Sequence, residues 1–167
     1  MSEDTKSLLV LRHAKSDQHD AEAADYDRPL NKRGTRDAGR MGRLLRDEHL
    51  LPDLIMVSTA KRARETVEGL VSGSGYAGDI ERKRTFYLAG PDAYIRALSK
   101  VQDTHRRVLV VGHNPGMEDL VERLTGTSIT MPTAALVEIV LPVKHWRELG
   151  EETRGELRGV WRPRELS

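Results

Sequence analysis

The sequence predicts a single α/β domain in which a mostly parallel central sheet carries helices on both faces. Three short apolar runs, at residues 8–11, 54–57 and 108–111, have the length and composition of strands buried on both faces. Each run is followed along the chain by a segment whose apolar residues recur at helical spacing. The chain has 167 residues, which suits one domain with one substantial core.

The first helix is predicted over residues 32–49. Asn31 can accept the free amide hydrogens of its first turn. Ala38, Met41 and Leu45 lie at helical spacing and mark the face that packs on the sheet. The polar segment 15–31, which precedes this helix, is rich in aspartate and has the length of a functional cover over a site.

The second helix is predicted over residues 60–71, with Ser58 or Thr59 as its N-cap and Arg62 in its first turn. The free amides and the dipole of a helix N-terminus attract anions, so this turn suits a phosphate group. Residues 72–75, Ser-Gly-Ser-Gly, are predicted to form a turn.

The second half of the chain continues the alternation of strands and helices. Pro115 is expected in the first turn of a helix capped by Asn114, which places His113 beside a helix N-terminus. The predicted elements are an edge strand at 79–82, a helix from about Pro91 to residues 102–105, the strand at 108–111, a helix ending at Gly126, a strand at 135–140 and an edge strand at 157–162.

The predicted domain spans residues 1–167, with its core at about residues 7–141. The charged C-terminal tail is expected to pack on this core through Trp146 and Trp161. The sequence contains no internal repeat and no glycine-rich nucleotide-binding loop.

Composition excludes several classes of function. The formal net charge is +1, from 27 basic and 26 acidic residues, which argues against a nucleic-acid binder held by bulk electrostatics. The absence of cysteine excludes disulfides, thiolate catalysis and cysteine-based zinc sites. The apolar runs are too short to cross a membrane and the N-terminus is polar, so we expect a cytoplasmic protein with no membrane partner.

Arginine and histidine side chains follow the predicted strands. Arg12 and His13 come directly after the first strand, Arg62 follows the second, and His113 follows the strand at 108–111. The carboxyl ends of parallel strands meet at one edge, where open α/β sheets bind ligands. Without a carboxylate, this set does not suit a glycosidase or a serine triad. It suits a phosphoryl group, because neutralising the oxygens is most of what phosphoryl transfer requires.

Four segments carry these residues in order along the chain: Arg12-His13-Ala14-Lys15-Ser16, Asp27-Arg28-Pro29-Leu30 through Gly34, Ser58 through Thr66 with Arg62 and Ala63, and Val111-Gly112-His113-Asn114-Pro115. Together they resemble the histidine phosphatase (phosphoglycerate-mutase-like) superfamily, and within it the SixA-type phosphohistidine phosphatases. The resemblance covers nearly the whole domain, from about residue 8 to residue 140.

The resemblance implies a role for each site residue. His13 would be the nucleophile that carries the phosphoryl group, with one ring nitrogen hydrogen-bonded to a backbone carbonyl to fix its tautomer. Arg12, Arg62 and His113 would bind the phosphoryl oxygens, and Ser16 would be a further donor. No metal or organic cofactor is implied. The partner would be a histidine-phosphorylated carrier or signalling domain, or a small phosphorylated metabolite.

Two departures from the superfamily pattern bear on the substrate. Ala14 stands where many members have glycine, and this variant is typical of the SixA type. The segment 86–92 has no counterpart of the glutamate that donates a proton in many phosphomonoesterases, and the nearest acids, Glu81 and Asp92, read as surface charges. An alkoxide leaving group needs such a proton, whereas the nitrogen of a phosphoramidate leaves more readily.

The sequence therefore favours a metal-independent phosphatase that hydrolyses phosphohistidine on a protein. Two alternatives stay open. One is a phosphatase of a small phosphoester, with an acid supplied by the aspartate-rich loop between Ser16 and Asp27. The other is an inactive module that binds phosphate or a phosphopeptide.

Overall fold

The protein folds around one mixed β-sheet. The structure, a computed structural model, describes residues 4–18 and 24–166. In this part of the chain the strands are β1 (Lys6–Arg12), β2 (Leu54–Ser58), β3 (Asp79–Lys83), β4 (Arg107–Gly112), β5 (Leu136–Leu141) and β6 (Glu156–Trp161). The helices are α1 (Lys32–Asp47), α2 (Lys61–Ser74), α3 (Pro91–Leu98) and α4 (Gly116–Thr125). No helix within these ranges is both long enough and apolar enough to span a lipid bilayer.

The strand order in the sheet is β3-β2-β4-β1-β5-β6. The first four strands in this order pair in parallel, whereas β5 runs antiparallel to both of its neighbours. The predicted mostly parallel sheet is therefore confirmed. Because β1, β2, β3 and β4 point the same way, their carboxyl ends lie at one edge.

Helices cover both faces of the sheet, as predicted. Alternate residues of a strand point to opposite faces. In β1, Leu8 and Val10 pack in the core under α3 and α4, while Leu9 and Leu11 pack in the core under α1 and α2. These four side chains are at most 1% exposed. Burial on both faces explains why the strand reads as a continuous apolar run.

Helix α1 begins where the sequence predicts, since the side chain of Asn31 accepts a hydrogen bond from the amide of Gly34 at 2.8 Å. Helix α2 corrects the prediction at both ends. Ala60 occupies its N-cap position without a side-chain cap, and the helix runs through the predicted turn to Ser74. Gly75, with φ of 76°, ends it in the left-handed region that glycine adopts without strain.

Two boundaries in the second half also differ from prediction. Helix α3 ends at Leu98, and hydrogen-bonded turns replace its predicted last turn up to His105. Helix α4 begins at Gly116, so Pro115 precedes the first turn. The side chain of Asn114 still accepts a hydrogen bond from the amide of Glu118, at 3.3 Å.

The C-terminal tail adds an edge strand to the sheet and packs a tryptophan into one of the two cores. Strand β6 pairs with β5 as the predicted edge strand. Trp146 is fully buried beneath the α3 and α4 face, and its indole N–H donates to the carbonyl of His105 at 2.7 Å. Trp161 is partly buried against the core on the opposite face.

Helices α1 and α2 pack closely through glycines. A Cβ on Gly42 would lie 2.5 Å from the carbonyl oxygen of Leu70, a distance that real Cβ atoms do not show. Three residues earlier in the same helix, a Cβ on Gly39 would meet nothing closer than 3.5 Å, at the end of the Arg43 side chain. The two glycines thus differ in packing although they share a helix.

We expect Gly42→Ala to lower the free energy of unfolding by about 1–3 kcal/mol, because α1 and α2 must separate to admit the methyl group. Gly39→Ala is the matched control and is expected to raise it by about 0.5–1 kcal/mol, since alanine is the better helix former. Urea unfolding of both variants measures the two changes. Equal effects of the two substitutions would contradict the close packing at Gly42.

Candidate active site

The paired ends of β1 and β4 bring two histidines together. Arg12 pairs in register with Gly112, and the amide of His13 donates to the carbonyl of Gly112 at 3.0 Å. His13 and His113 therefore leave the sheet side by side, with ring centroids 5.1 Å apart. Both side chains are buried.

The ring of His13 is held in one orientation by the backbone. Its Nδ1 lies 2.7 Å from the carbonyl oxygen of Ala14, which only accepts hydrogen bonds, so Nδ1 carries the proton. Nε2 then bears the lone pair, and the Nε of Arg62 donates to it at 3.3 Å. Burial lowers the pKa of His13 to about 3, with smaller contributions from His113, Arg62 and Arg12 against the opposing Ala14 hydrogen bond. His13 is therefore a neutral imidazole with an oriented lone pair at neutral pH.

His113 is oriented by Ser58, the last residue of β2. The hydroxyl of Ser58 lies 2.8 Å from Nε2 of His113. Burial, followed by the charge of Arg62, lowers the pKa of His113 to about 4, so this ring is also neutral at neutral pH. We assign the Ser58 hydroxyl as the donor to Nε2, which places the single proton on Nδ1. Nδ1 has no hydrogen-bond partner among the described residues. Nδ1 is thus a donor available to an anion.

The role predicted for Ser58 from the sequence is that of a candidate helix N-cap. Its hydroxyl does accept the amide hydrogen of Ala60 at 3.2 Å, but its second contact, to His113, places it in the site. A serine at a strand end is common both as a helix N-cap and as a site residue. Here the contact with His113 arises because β2 lies next to β4, and the local sequence does not contain that information.

Arg62 joins helix α2 to His13. It is 3% exposed, and its carbonyl accepts a hydrogen bond from the Thr66 hydroxyl at 2.7 Å. The same hydroxyl accepts the amide hydrogen of Ala14 at 3.0 Å, so Thr66 ties the helix to the end of β1. The sequence did not predict this role for Thr66, because nothing in the local pattern distinguishes it from any other buried residue of a helix.

The structure brings a carboxylate into the site, which corrects the expectation of a set without one. Asp25 accepts hydrogen bonds from Arg62, at 3.1 Å, and from the Tyr87 hydroxyl, and it forms an ion pair with Arg28 at 3.0 Å. The Arg62 guanidinium also donates to the Asp25 carbonyl at 2.6 Å. The Tyr87 hydrogen bond, then the nearby arginines, hold the pKa of Asp25 below its usual range. Asp25 is therefore an anion that positions Arg62.

Of the other aspartates in this loop, Asp27 is exposed, and Asp20 falls outside the described residues. The two acids read as surface charges are confirmed as such, since Glu81 pairs with Lys83 at 3.2 Å and Asp92 with Arg123 at 2.7 Å.

Arg12 and Ser16 complete the predicted set. The guanidinium of Arg12 donates to the carbonyl of Met131 at 3.1 Å, and its Nε has no partner in the described part of the chain. Glu118 accepts the amide hydrogen of Met131 at 2.7 Å and so braces the same contact. Ser16 is buried and forms an isolated backbone bridge with Leu30, close along the chain to the first strand end. A phosphate-binding role for Ser16 stays a prediction.

The geometry places a neutral imidazole among cations. Arg62 donates to Nε2 of His13, the His113 ring packs against the His13 ring, and the charge of Arg12 acts on His13. This arrangement suits attack on a phosphoryl group. The residues described contain no group of three or more histidine, aspartate or glutamate side chains arranged to hold a metal ion.

Comparison with known proteins agrees with this geometry. Residues 8–84 match the family model of the histidine phosphatase superfamily, branch 1. Uncharacterized protein Rv1276c of Mycobacterium tuberculosis strain H37Rv is 40% identical over 128 residues, which cover 77% of each chain. Uncharacterized protein At3g52155 of Arabidopsis thaliana, described as chloroplastic, is 34% identical over 146 residues, which cover 80% of this chain and 66% of that protein.

Solved structures show the same fold over most of the chain. A candidate phosphohistidine phosphatase SixA from Agrobacterium tumefaciens is 30% identical, with a TM-score of 0.75 over 80% of this chain and 90% of that chain. A candidate SixA from Nakamurella multipartitia has a TM-score of 0.84 at 24% identity, over 95% and 96% of the two chains. A mycobacterial glucosyl-3-phosphoglycerate phosphatase, Rv2419c, shares the fold at 15% identity, with a TM-score of 0.65 over 92% of this chain and 97% of that chain.

The fold and the site define a phosphatase-type domain, and the chain belongs to the histidine phosphatase superfamily. Within that superfamily it is similar to the SixA phosphohistidine phosphatases, as its strand-end motifs predicted.

We expect the imidazoles of His13 and His113 to stay neutral as the pH falls from 8 to 5, because burial lowers both pKa values. Long-range ¹H–¹⁵N NMR spectra report the protonation of each ring. In the unfolded chain histidine titrates near 6.5. The unfolded state therefore binds more protons below that pH, and the free energy of unfolding is expected to fall as the pH drops from about 6.5 towards 4. Midpoints near 6.5 in the folded protein would contradict the burial argument.

Proposed function

We propose that this protein is a metal-independent phosphatase that hydrolyses phosphohistidine on another protein, through a covalent phosphohistidine at His13. The observation that carries this proposal is the hydrogen bond from His13 Nδ1 to the Ala14 carbonyl, which leaves the Nε2 lone pair facing Arg62 and His113. Superfamily membership supports phosphatase activity in general. The partner is a histidine-phosphorylated carrier or signalling domain, and a cytoplasmic location stays a prediction from the sequence.

In the first step, Nε2 of His13 attacks the phosphorus atom in line with the bond to the substrate nitrogen. A bond forms between Nε2 and phosphorus, and the bond between phosphorus and the substrate imidazole breaks. Arg12, Arg62 and the Nδ1 hydrogen of His113 neutralise the transferring oxygens. The leaving imidazole takes its proton from solvent, because neutral His113 would become an imidazolate if it gave up its single proton.

In the second step, water attacks the phosphorus atom and the bond to His13 breaks. Inorganic phosphate forms, and the water supplies its oxygen. Because the Ala14 carbonyl holds a proton on Nδ1 throughout, His13 leaves as a neutral imidazole rather than as an imidazolate. The enzyme thus returns to its starting tautomer.

The state of Asp25 favours a phosphoramidate substrate. A general acid must carry a proton at the working pH, and its help is worth about 10²–10⁴ in rate. The pKa of Asp25 is lowered by its contacts with Tyr87 and Arg62, so this carboxylate is ionised and does not protonate an alkoxide. An imidazole leaving group needs no such acid at this position.

A small phosphoester is the second candidate substrate, because Asp25 places a carboxylate in the site that would serve as its general acid only when protonated. The aspartate-rich loop was predicted to supply an acid in that case. The fold alone is compatible, since Rv2419c shares it and is described as a glucosyl-3-phosphoglycerate phosphatase.

Replacing His13 tests the nucleophile. With EDTA present, we expect His13→Ala to lose phosphohistidine hydrolysis by about 10³-fold or more and to form no phosphoenzyme, because the variant lacks the proposed nucleophile Nε2. Hydrolysis of a histidine-phosphorylated carrier protein, and transfer of radioactive phosphate trapped in alkali, measure the two effects. His49→Asn is the matched control, since His49 lies beyond the far end of α1 at a positive φ that asparagine tolerates.

Full activity of His13→Ala would overturn the mechanism. A wild-type protein that binds phosphate without turning over any substrate would instead identify the inactive binding module.

Replacing Asp25 separates the two substrate classes. We expect Asp25→Asn to lower kcat for phosphohistidine and for a panel of phosphomonoesters by the same factor, about tenfold or less, because Arg62 loses an anchor in both reactions. A parallel kinetic assay on both substrates measures the ratio. A selective loss of about 10²–10⁴ on one phosphomonoester would identify Asp25 as its general acid and favour the second candidate.

A further inference from the structure

The edge strand β3 carries clefts on both of its faces. On the α3 side, a cleft of about 610 Å³ is lined by charged residues of β3, of the turn after it and of α3. On the α2 side, a cleft of about 290 Å³ is lined by three valines and by Ile80, which is 44% exposed, together with the charged residues Arg64, Glu68 and Arg82. Within residues 4–18 and 24–166 the strand pairs only with β2, so its outer backbone groups lie at the edge of the sheet.

The larger cleft is strongly basic. Its lining includes five lysines and arginines against two acids, Asp79 and Glu81, although the whole chain has a net charge of only +1. Four of these cations make no ion pair among the described residues, while the fifth, Lys83, pairs with Glu81. The four are Arg82, Arg84, Arg96 and Lys100. All four are exposed.

The shape and charge together specify the ligand. An exposed strand edge pairs with an added extended segment, and alternate side chains of that segment then face opposite sides of the sheet. Here one side offers unpaired cations and the other an apolar groove beside Ile80.

The strand leads to the active site. Lys83 pairs in register with Ser58, whose hydroxyl contacts His113. Past the turn Arg84–Phe86, the ring of Tyr87 lies 5.5 Å from that of His113, and the next residue, Leu88, is 61% exposed. A segment docked on β3 is separated by two strands, β3 and β2, from β4, which His113 follows.

We propose that the β3 edge docks an extended segment of the partner protein in which acidic and apolar residues alternate. Its carboxylates lie against Arg96 and Lys100, and its apolar side chains lie against Ile80. That the docked protein is also the phosphohistidine substrate rests on the proposed function, whereas docking itself does not depend on catalysis.

The binding test uses a fluorescein-labelled peptide of alternating glutamate and valine as the probe. We expect saturable binding by fluorescence anisotropy, and we expect the double variant Arg96→Glu/Lys100→Glu to weaken it by about tenfold or more. Arg36→Glu/Arg43→Glu makes the same charge change on exposed positions of α1 and is expected to leave binding unchanged. Absence of saturable binding, or equal weakening by both double variants, would overturn the proposal.

Hydrogen exchange tests the strand addition. Bound probe is expected to slow amide exchange in residues 79–83, because outward amides of the edge strand gain acceptors. Unchanged exchange in this strand on saturation with the peptide would rule out pairing at the edge.

Kinetics test the link to the substrate. Arg96→Glu/Lys100→Glu is expected to raise KM for the phosphorylated carrier protein, with kcat and the hydrolysis of free phosphohistidine unchanged. An unchanged KM would show that docking at β3 does not contribute to binding of the phosphohistidine substrate. Failure of the wild-type protein to hydrolyse any phosphohistidine would defeat the proposed function, and the peptide measurements would still decide docking.

Discussion

The parallel pairing of β1 with β4 is the constraint on which the site depends. It sets His13 and His113 at adjacent strand ends, with the His13 amide bound to the carbonyl of Gly112. The pairing register fixes the positions of the two residues along the strand direction. A shift of the register by one residue would turn every side chain of the shifted strand to the other face of the sheet. The buried leucines and valines of both strands make such a shift costly, so core packing also fixes the positions of the two histidines.

Burial among cations keeps both imidazoles neutral. Desolvation and the charges of nearby arginines disfavour a positive ring, which lowers both histidine pKa values. The backbone carbonyl of Ala14 then decides which nitrogen of His13 carries the single proton, and the Ser58 hydroxyl does the same for His113. One ring thereby presents a lone pair and the other a donor, so two residues of the same type take complementary roles in the proposed reaction.

Asp25 shows how a loop completes a site built on a rigid sheet. Its carboxylate contacts Arg62, Arg28 and Tyr87, which come from a helix and from two separate connections. Such an anion balances the charge of the arginines and holds the guanidinium of Arg62 in place. Its ionised state also limits the chemistry, because a carboxylate held by this many donors is a weak acid catalyst.

The sequence by itself determined the α/β class, the order of the strands and helices along the chain, and the four residues Arg12, His13, Arg62 and His113 that the structure brings to one edge. These follow from local signals, since apolar runs, helical periodicity and the residues at strand ends are read within about ten positions. The tertiary structure decided the rest. Ser58, Thr66 and Asp25 enter the site through partners 37 to 55 residues away in sequence, and helix α2 extends to Ser74 because its glycines pack on α1. Such contacts depend on which strands and helices become neighbours in the folded protein. A local sequence pattern contains no information about those neighbours.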